Sequence, residues 1–231
     1  MHVEELHGGI FSRVIVHLEP GEGFVSDAGA MYRASSNVDI DVTTRSRGGG
    51  GGLLGGLGRL LARGTFFLST YEVSDGRPGE VGLAPTHMGE VRTLQVTPDT
   101  PWMCAGGSFL GADREVALEA RFQGLAKGLL GGEGLAFLRA SGTGDLVVAA
   151  FGMLTEMEVD GELVVDTGHL VAFTEGLDYS IDRLGGGWIA TWLTGEGFVL
   201  RFSGRGRVLL QSHDLGRFGR ILGPLLPERD A

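Results

Sequence analysis

The amino-acid sequence predicts an all-β protein made of repeated β units, and three observations carry this prediction. Glycine accounts for 42 of the 231 residues, and it is interleaved with Val, Leu and Phe rather than with the polar residues of disordered chains. Several short stretches alternate between apolar and polar residues with the period of two that a half-buried strand requires. A similar order of motifs occurs three times along the chain, which is typical of repeat architectures.

The clearest repeat is a Gly-Glu-Gly motif followed by an apolar stretch, a Ser-Gly-x-Gly motif and a second apolar stretch. It occurs in GEGLAFLRASGTGDLVV, residues 132–148, and in GEGFVLRFSGRGRVLL, residues 195–210. A more divergent copy, RGTFFLSTYEVSDGRPGEVGLAP, spans residues 63–85. Two apolar stretches joined by a glycine-rich turn are typical of a β-hairpin. We therefore predict three β-hairpins, one in each repeat.

A second module precedes each predicted hairpin. It has an apolar start, a central glycine, a second apolar patch and then an alternating stretch. The three copies span residues 24–42, 102–120 and 163–181, with central glycines Gly29, Gly107 and Gly168. In the first copy the alternating stretch is Val38-Asp39-Ile40-Asp41-Val42 and in the second it is Val116-Ala117-Leu118-Glu119-Ala120. Both predict strands with one face towards the core.

A glycine-rich segment separates the two modules of each repeat. It reads RGGGGGLLGGLGRLLARG at residues 47–64 and corresponds to FQGLAKGLLGGEG and RLGGGWIATWLTGEG in the other repeats. A phosphate-binding loop of the Walker type needs Gly-Lys-Ser/Thr at the start of a helix, and none of these segments contains it. Arg59 and Arg63 interrupt the apolar run, which does not reach the length of a membrane span. We interpret the segment as a structural connector whose leucines could cover a sheet edge or a neighbouring subunit.

The pattern changes from strand-like to helical after residue 213. Apolar residues recur at helical spacing, at Leu215, Phe218, Ile221 and Leu222. Asp214 is a candidate N-cap, and Gly223-Pro224 is a stop signal. We therefore predict a short C-terminal amphipathic helix and tail over residues 214–231. Its two glycines make it weak in isolation, so we expect it to pack on the β body or on a neighbouring subunit, with a membrane surface as the alternative.

The rest of the chain, residues 1–213, is predicted to be one all-β domain. Its three repeats span about residues 18–95, 96–158 and 159–213. Repeated strands leave sheet edges that invite aggregation, and a closed arrangement around a pseudo-threefold centre would pair or cover them.

Charge and cysteine content restrict the compartment and the partners. The chain has 19 Lys and Arg against 29 Asp and Glu, a formal net charge of −10, which disfavours nucleic acid as a partner. The single cysteine, Cys104, excludes an intramolecular disulfide and a Cys-rich zinc site. Glu4 and Glu5 precede any apolar run, which argues against a secretory signal. We expect a cytoplasmic protein without stable membrane insertion.

An ordered set of motifs over roughly residues 10–213 resembles a known family. The motifs are Leu18-Glu19-Pro20-Gly21-Glu22, Gly29-Ala30-Met31, Val81-Gly82-Leu83-Ala84-Pro85, Ser141-Gly142-Thr143-Gly144, Val165-Asp166-Thr167-Gly168-His169-Leu170 and Gly195-Glu196-Gly197. The set is similar to the prokaryotic domain of unknown function 124, which is related to an altered-inheritance-of-mitochondria protein. The resemblance implies a fold like that of the tryptophan RNA-binding attenuation protein superfamily, a double-stranded β-helix-like arrangement. It also implies a homo-oligomer, with a trimer favoured, and no assigned reaction.

Histidines and carboxylates provide the candidate metal ligands. None of the six histidines lies two or four residues from another, so no local metal-binding spacing occurs. A site assembled in three dimensions from His17, His87 and His169 stays an alternative. In the stretch TEMEVDGELVVD, residues 155–166, Glu156, Glu158 and Asp160 would share one face of a strand. We interpret this face as solvated, with a calcium site or an acid-base pair as the alternatives.

The remaining candidates for chemistry favour structural roles. Cys104 lies in an apolar strand without a basic neighbour, which is typical of a small buried hydrophobe rather than a nucleophile. Ser141 and Ser203 lie in Ser-Gly-x-Gly turns, unlike the strand-turn-helix context of a hydrolase serine. A cationic cluster next to Phe202 could hold RNA, although the net charge opposes this. It consists of Arg201, Arg205 and Arg207.

The sequence therefore favours a non-enzymatic protein. No residue is predicted to be catalytic, to bind a cofactor or to hold a metal, and no cofactor is expected. The leading hypothesis is an oligomeric scaffold or assembly protein. The alternative is a small-molecule-binding module with a pocket between repeats or subunits. A metal-dependent enzyme and an RNA binder are less favoured.

Overall fold

The described part of the chain is predominantly β-strand, as the sequence predicts. The computed structural model describes residues 1–9, 11–43, 68–122, 136–183 and 198–227. The strands are β1 His2–Leu6, β2 Arg13–Leu18, β3 Gly23–Asp27, β4 Met31–Ala34, β5 Val38–Thr43, β6 Leu68–Val73, β7 Gly79–Leu83, β8 Val91–Val96, β9 Trp102–Ala105, β10 Phe109–Asp113, β11 Val116–Phe122, β12 Ala136–Gly142, β13 Gly144–Ala149, β14 Leu154–Asp166, β15 Leu170–Thr174, β16 Asp178–Arg183 and β17 Phe198–Gln211. A 3-10 turn spans Thr167–His169, helix α1 spans Leu215–Leu222, and a second 3-10 turn follows at Gly223–Leu225.

The strands form three antiparallel sheets. Sheet I has the order β1-β2-β7-β4, sheet II the order β5-β6-β3-β10-β13-β8, and sheet III the order β11-β12-β9-β15-β17-β14, with β16 on β17 beside this path. Sheet II and sheet III therefore combine strands that are far apart in the sequence.

Within the described part of the chain, no helix has the length and apolar character of a transmembrane segment.

The prediction of three β-hairpins is wrong. The motif at residues 132–148 supplies β12 and β13, but β12 belongs to sheet III and β13 to sheet II. Likewise β6 belongs to sheet II and β7 to sheet I. In the third repeat the motif supplies a single continuous strand, β17. A hairpin would pair the two stretches with each other, whereas here the glycines bend the chain so that the two stretches enter different sheets.

Glycines with positive φ make these bends. Gly142 has φ +105°, and Gly204, inside β17, has φ +107°. Gly204 lies opposite Gly161, with φ +120°, in the register of β14 and β17. Because only glycine adopts this region without strain, both long strands can bend at the same level while they stay paired.

Three hydrophobic clusters form the core, the first two between successive sheets and the third within sheet III. The first combines Val14 and Val81 of sheet I with Phe24 and Tyr71 of sheet II. The second combines β13 side chains such as Val148 with Trp102 and Leu138 of sheet III. The third combines Phe137 and Phe173 with Leu200 and Phe202 of β17. The clusters follow one another along the chain, so each is built mainly from one third of the sequence.

The C-terminal helix is confirmed. Helix α1 begins after Asp214, whose side chain accepts a hydrogen bond from the backbone N–H of Gly216 at 2.8 Å, and it ends before Gly223. The predicted strands at residues 38–42 and 116–120 are confirmed as β5 and β11.

The glycine-rich connectors fall in residues 44–67, 123–135 and 184–197, outside the described residues, so their role stays a prediction.

Candidate functional site

The structure does not bring the three candidate metal ligands together. His17, on β2, lies 3.3 Å from a carboxylate oxygen of Glu4 and 3.3 Å from one of Glu80. The Nδ1 atom of His169 lies 2.9 Å from the backbone oxygen of Gln211. In the described ranges, no group of three or more His, Cys, Asp or Glu side chains is arranged to hold a metal ion.

The acidic stretch and the cationic cluster lie on neighbouring strands and pair with each other. Asp160 accepts a hydrogen bond from Nε of Arg205 at 2.9 Å, and Glu156 accepts one from Arg207 at 3.2 Å. Arg201 instead donates to Asp182 of β16 at 2.7 Å. The register of β14 and β17 places Asp160 opposite Arg205, whereas Glu156 lies two positions away from the residue opposite Arg207 and pairs with Arg207 diagonally. Their charges are therefore balanced locally on the sheet.

The cysteine and serine candidates occupy structural positions. Cys104 is buried, as expected, and this burial raises the pKa of its thiol to about 12. Such a thiol stays protonated at neutral pH and is a poor nucleophile. Ser141 lies at the end of β12, where it accepts a hydrogen bond from Arg139 at 2.9 Å. Ser203 lies within β17 beside the bend at Gly204, rather than in a turn.

A cleft lies where the C-terminal helix meets the β body. It has a volume of about 280 Å³ and is lined by the turn between β9 and β10, the 3-10 turn, α1 and His87. Phe151 supports the helix, since its ring lies 5.2 Å from that of Phe218. Gly168 leaves room for Asp214, because an added Cβ would lie 2.6 Å from the Asp214 carboxyl carbon. The predicted packing of the helix on the β body is thus seen at this contact.

His87 is a half-buried polar side chain in the lining of this cleft. Its Nδ1 atom is buried without a hydrogen-bond partner. Burial lowers the pKa of the imidazole below its ordinary value, so the ring is neutral at pH 7. The ring lies 5.8 Å from Phe151 in an edge contact. The ring also makes a backbone hydrogen bond with Gly107, which opposes this lowering of the pKa.

Sequence reasoning missed a serine-histidine contact next to this cleft. The Oγ atom of Ser212 lies 2.7 Å from Nδ1 of His213. The same Oγ accepts a hydrogen bond from the backbone N–H of Met153 at 3.0 Å. A catalytic serine needs a base that a third group orients. The contact between neighbours in the chain instead fixes the turn that leads into α1. No motif signals it, because it depends on the position of Met153.

Comparisons with known proteins agree with this description of the fold. The profile of the family described as mitochondrial biogenesis AIM24 matches residues 4–213. An uncharacterized protein of Streptococcus pyogenes serotype M6 is 31% identical over 220 residues, which cover 94% of this chain and 88% of that protein. A crystal structure of a Streptococcus pyogenes protein superposes with a TM-score of 0.80 at 28% identity, covering 97% of this chain and 99% of the other.

Proposed function

The chain belongs to the mitochondrial biogenesis AIM24 family, and we propose that it is a non-enzymatic scaffold that assembles with copies of itself. The observation that carries this proposal is the strand pairing. Sheets II and III each join strands of one third of the chain to strands of the next, while the two ends of the series have no such complement among the described residues.

The pairing supports a division into three units of six strands, at residues 13–83, 91–149 and 154–211. In each unit the first and third strands pair with the sixth, and the second and fourth pair with the fifth. In unit one these pairs are β2–β7, β4–β7, β3–β6 and β5–β6. In unit two they are β8–β13, β10–β13, β9–β12 and β11–β12.

Unit three has the same pairing with two fused strands. The first half of β14, residues 154–160, pairs with the second half of β17, residues 205–211. The second half of β14, residues 162–166, pairs with the first half of β17, residues 199–203. β15 pairs with residues 208–210 of β17, and β16 pairs with residues 198–203. The three copies of this pattern support the internal repeat that the sequence motifs predict.

Each unit is shared between two successive sheets. Its second, fourth and fifth strands form half of one sheet, and the third, first and sixth strands of the next unit form the other half. This rule leaves one half-sheet, β4-β7-β2, at the start of the series. A second half-sheet remains at the end of the series and consists of β16, the first half of β17 and the second half of β14. Unfilled half-sheets favour association with a complementary half-sheet.

The disposition of polar groups supports a role without catalysis. The charged side chains that the sequence suggests for chemistry form ion pairs, and the thiol of Cys104 is buried. Nothing in these contacts resembles a nucleophile held against an oriented base. Cytoplasmic location and the absence of a nucleic-acid partner stay predictions from composition.

Sedimentation equilibrium of the purified chain tests the scaffold proposal. We expect a mass that is a multiple of 24.4 kDa, with a trimer as the assembly that the family resemblance implies. A closed ring of three copies would fill every half-sheet. A chain that stays monomeric up to about 100 μM, a concentration at which even weak specific complexes form, would refute it.

The cleft supports a second candidate function, the binding of a small molecule. It lies between unit two and unit three, and His87 is part of its lining. Native mass spectrometry of freshly purified protein tests this candidate. A bound mass that is lost in the His87→Ala variant supports it, and an unliganded spectrum from protein purified under mild conditions contradicts it.

A further inference from the structure

Two junctions inside the chain follow one rule. At the first, β3 of unit one pairs antiparallel with β10 of unit two. At the second, β9 of unit two pairs antiparallel with β15 of unit three. In both, the second strand of one unit meets the third strand of the next. Each junction also has one flanking backbone hydrogen bond, from Arg114 N–H to Gly23 at 3.2 Å and from Glu175 N–H to Pro101 at 2.9 Å.

The registers identify equivalent residues in the three units. Every third strand has a bulge against its sixth strand, between Met31 and Arg33, between Phe109 and Gly111, and between Leu170 and Ala172. This common bulge makes β4 the counterpart of β10 and β15. By the pairing with the fifth strand, the second half of β14 is the counterpart of β3 and β9. These two strands, β4 and the second half of β14, lack a junction partner among the described residues.

We propose that the second half of β14 in one copy pairs antiparallel with β4 of another copy, head to tail. The internal junctions give the register: Val165 opposite Arg33, Val164 opposite Ala34 and Leu163 opposite Ser35. This inference rests on the proposed scaffold function and specifies the surface through which the scaffold assembles. The occupant of each free edge is a second copy of this chain, because the chain already makes the same junction twice within itself.

Exposed apolar side chains lie at the positions that the junction would bury. Tyr32 is 46% exposed, whereas its counterparts Leu110 and Val171 are 2% and 0% exposed. Leu110 and Val171 each pack in the core of the preceding unit. By the same rule, Tyr32 would pack in the third core of the other copy, next to Phe173 and Phe202.

The opposite side of the junction shows the same difference in exposure. Val164 is 47% exposed, whereas its counterpart Met103 is 6% exposed and packs in the core of the following unit. Val164 would correspondingly pack in the first core of the other copy. An exposed apolar side chain on each free edge is what a missing neighbour leaves behind.

One residue distinguishes this junction from the internal ones. Arg33 stands where the internal junctions have Gly111 and Ala172, and it pairs with Glu80 at 2.9 Å. A charged side chain on an edge strand opposes pairing. The junction between chains is therefore weaker than the internal junctions, and its assembly is reversible. The Arg33→Ala variant, which matches Ala172, is expected to shift the equilibrium towards larger assemblies.

Blocking each edge separately tests the head-to-tail arrangement. Val164→Asp should block the β14 edge and Tyr32→Asp the β4 edge, so each variant alone should sediment as a monomer of 24.4 kDa. An equimolar mixture retains one good edge of each kind and should form a dimer and nothing larger. Val42→Asp is the matched control, since Val42 is 65% exposed on β5, an outer strand whose counterpart β11 is also at the end of its sheet.

The outcomes separate this inference from the scaffold proposal. A monomeric wild-type chain would overturn both. An assembly that survives both aspartate substitutions would leave the scaffold proposal standing and overturn this junction. Dimers of either variant alone would overturn the head-to-tail polarity, because they require an edge that pairs with itself. Circular dichroism spectra of the variants that match the wild type exclude misfolding as the cause of dissociation.

Cross-linking tests the register independently of these substitutions. Residues that lie opposite each other in an antiparallel pair are close enough for a disulfide. The Ala34→Cys, Val164→Cys double variant should therefore form oxidised multimers at integer multiples of 24.4 kDa. The Val42→Cys, Val164→Cys variant should not, and Cys104 is buried in both. Equal cross-linking of the two double variants, or none in the first, would refute the register.

Discussion

Asp113 should make the protein less stable as the pH rises through the weakly acidic range. This residue ends β10, at the first internal junction, where it lies opposite Phe24. One carboxylate oxygen accepts a hydrogen bond from the Asp145 backbone N–H at 2.8 Å, and the other is buried without a partner. The side chain also fills the space over Gly144, where an added Cβ would lie 2.5 Å from its carboxylate oxygen. Burial raises the pKa of Asp113 from 3.8 to about 6.

The direction of the effect follows from linkage between protonation and folding. Because the folded-state pKa exceeds the unfolded value, the folded chain binds more protons between about pH 4 and pH 6, and stability falls as the pH rises through this window. A shift of about two units corresponds to at most about 3 kcal/mol. The side chain is only about half-buried, so screening by solvent reduces this to roughly 1.5 kcal/mol.

The Asp113→Asn variant removes the titration and leaves an oxygen that can accept from Asp145. We measure the free energy of unfolding with urea at constant ionic strength from pH 4 to pH 8. Between these pH values, the difference between the variant and the wild type should change by about 1.5 kcal/mol in favour of the variant. The informative quantity is the difference between the two proteins in the slope of unfolding free energy against pH. An amide in place of the buried carboxylate oxygen changes the stability by the same amount at every pH and so leaves the slope unaffected. Asp99→Asn, in an exposed turn, is the control and should follow the wild type. Parallel profiles for Asp113→Asn and wild type would refute the reasoning.

Three further predictions follow from the same contacts. Gly142→Ala should destabilise the fold by about 1–3 kcal/mol, since Gly142 has φ +105° and an added Cβ would lie 2.9 Å from a backbone carbonyl. Gly219→Ala is its control and should stabilise α1 by up to about 1 kcal/mol, because Gly219 is a helical position where an added Cβ would meet no other atom. The free energy of unfolding of both variants is measured with urea. Cys104 should react with a thiol reagent such as Ellman's reagent only in denaturant, because burial raises its pKa to about 12. Deleting residues 214–231 should cost about 1–2 kcal/mol through the lost ring contact with Phe151 and leave the β body folded by circular dichroism; an unchanged urea midpoint would show that the contact contributes nothing.

The sequence predicts the local elements well because their signals are local. Alternation at residues 38–42 and 116–120 corresponds to β5 and β11. The helix over Leu215–Leu222 begins after the predicted N-cap Asp214 and ends at the predicted stop signal, Gly223. Such elements depend on side chains within a few positions of one another.

The sequence does not predict which strands pair. A glycine in a Ser-Gly-x-Gly motif serves a reversal of the chain or a bend inside a strand equally well, because both use positive φ. At Gly142 the outcome depends on β9 and β10, which take β12 and β13 into different sheets. The strands that open the first two proposed units, β2 and β8, are likewise identified by their partners β7 and β13 rather than by a motif.

The cleft likewise depends on contacts between distant segments. His87 and the glycines at 107 and 168 are visible as separate features of the sequence, but only the tertiary fold places them with α1 around one cleft. Ser212 and His213 gain their geometry from Met153, about 60 positions earlier in the chain. Distances of this kind carry no periodic signal.

By itself the sequence determined that this chain is a glycine-rich β protein with a helical C-terminal segment, and that it belongs to its family, because these follow from residue order and local backbone preference. Only the tertiary structure decided how the strands distribute among the sheets and which apolar edges stay uncovered. The physical reason is that strand pairing joins backbone groups that every residue carries, so the partner is selected by side-chain packing across the whole fold.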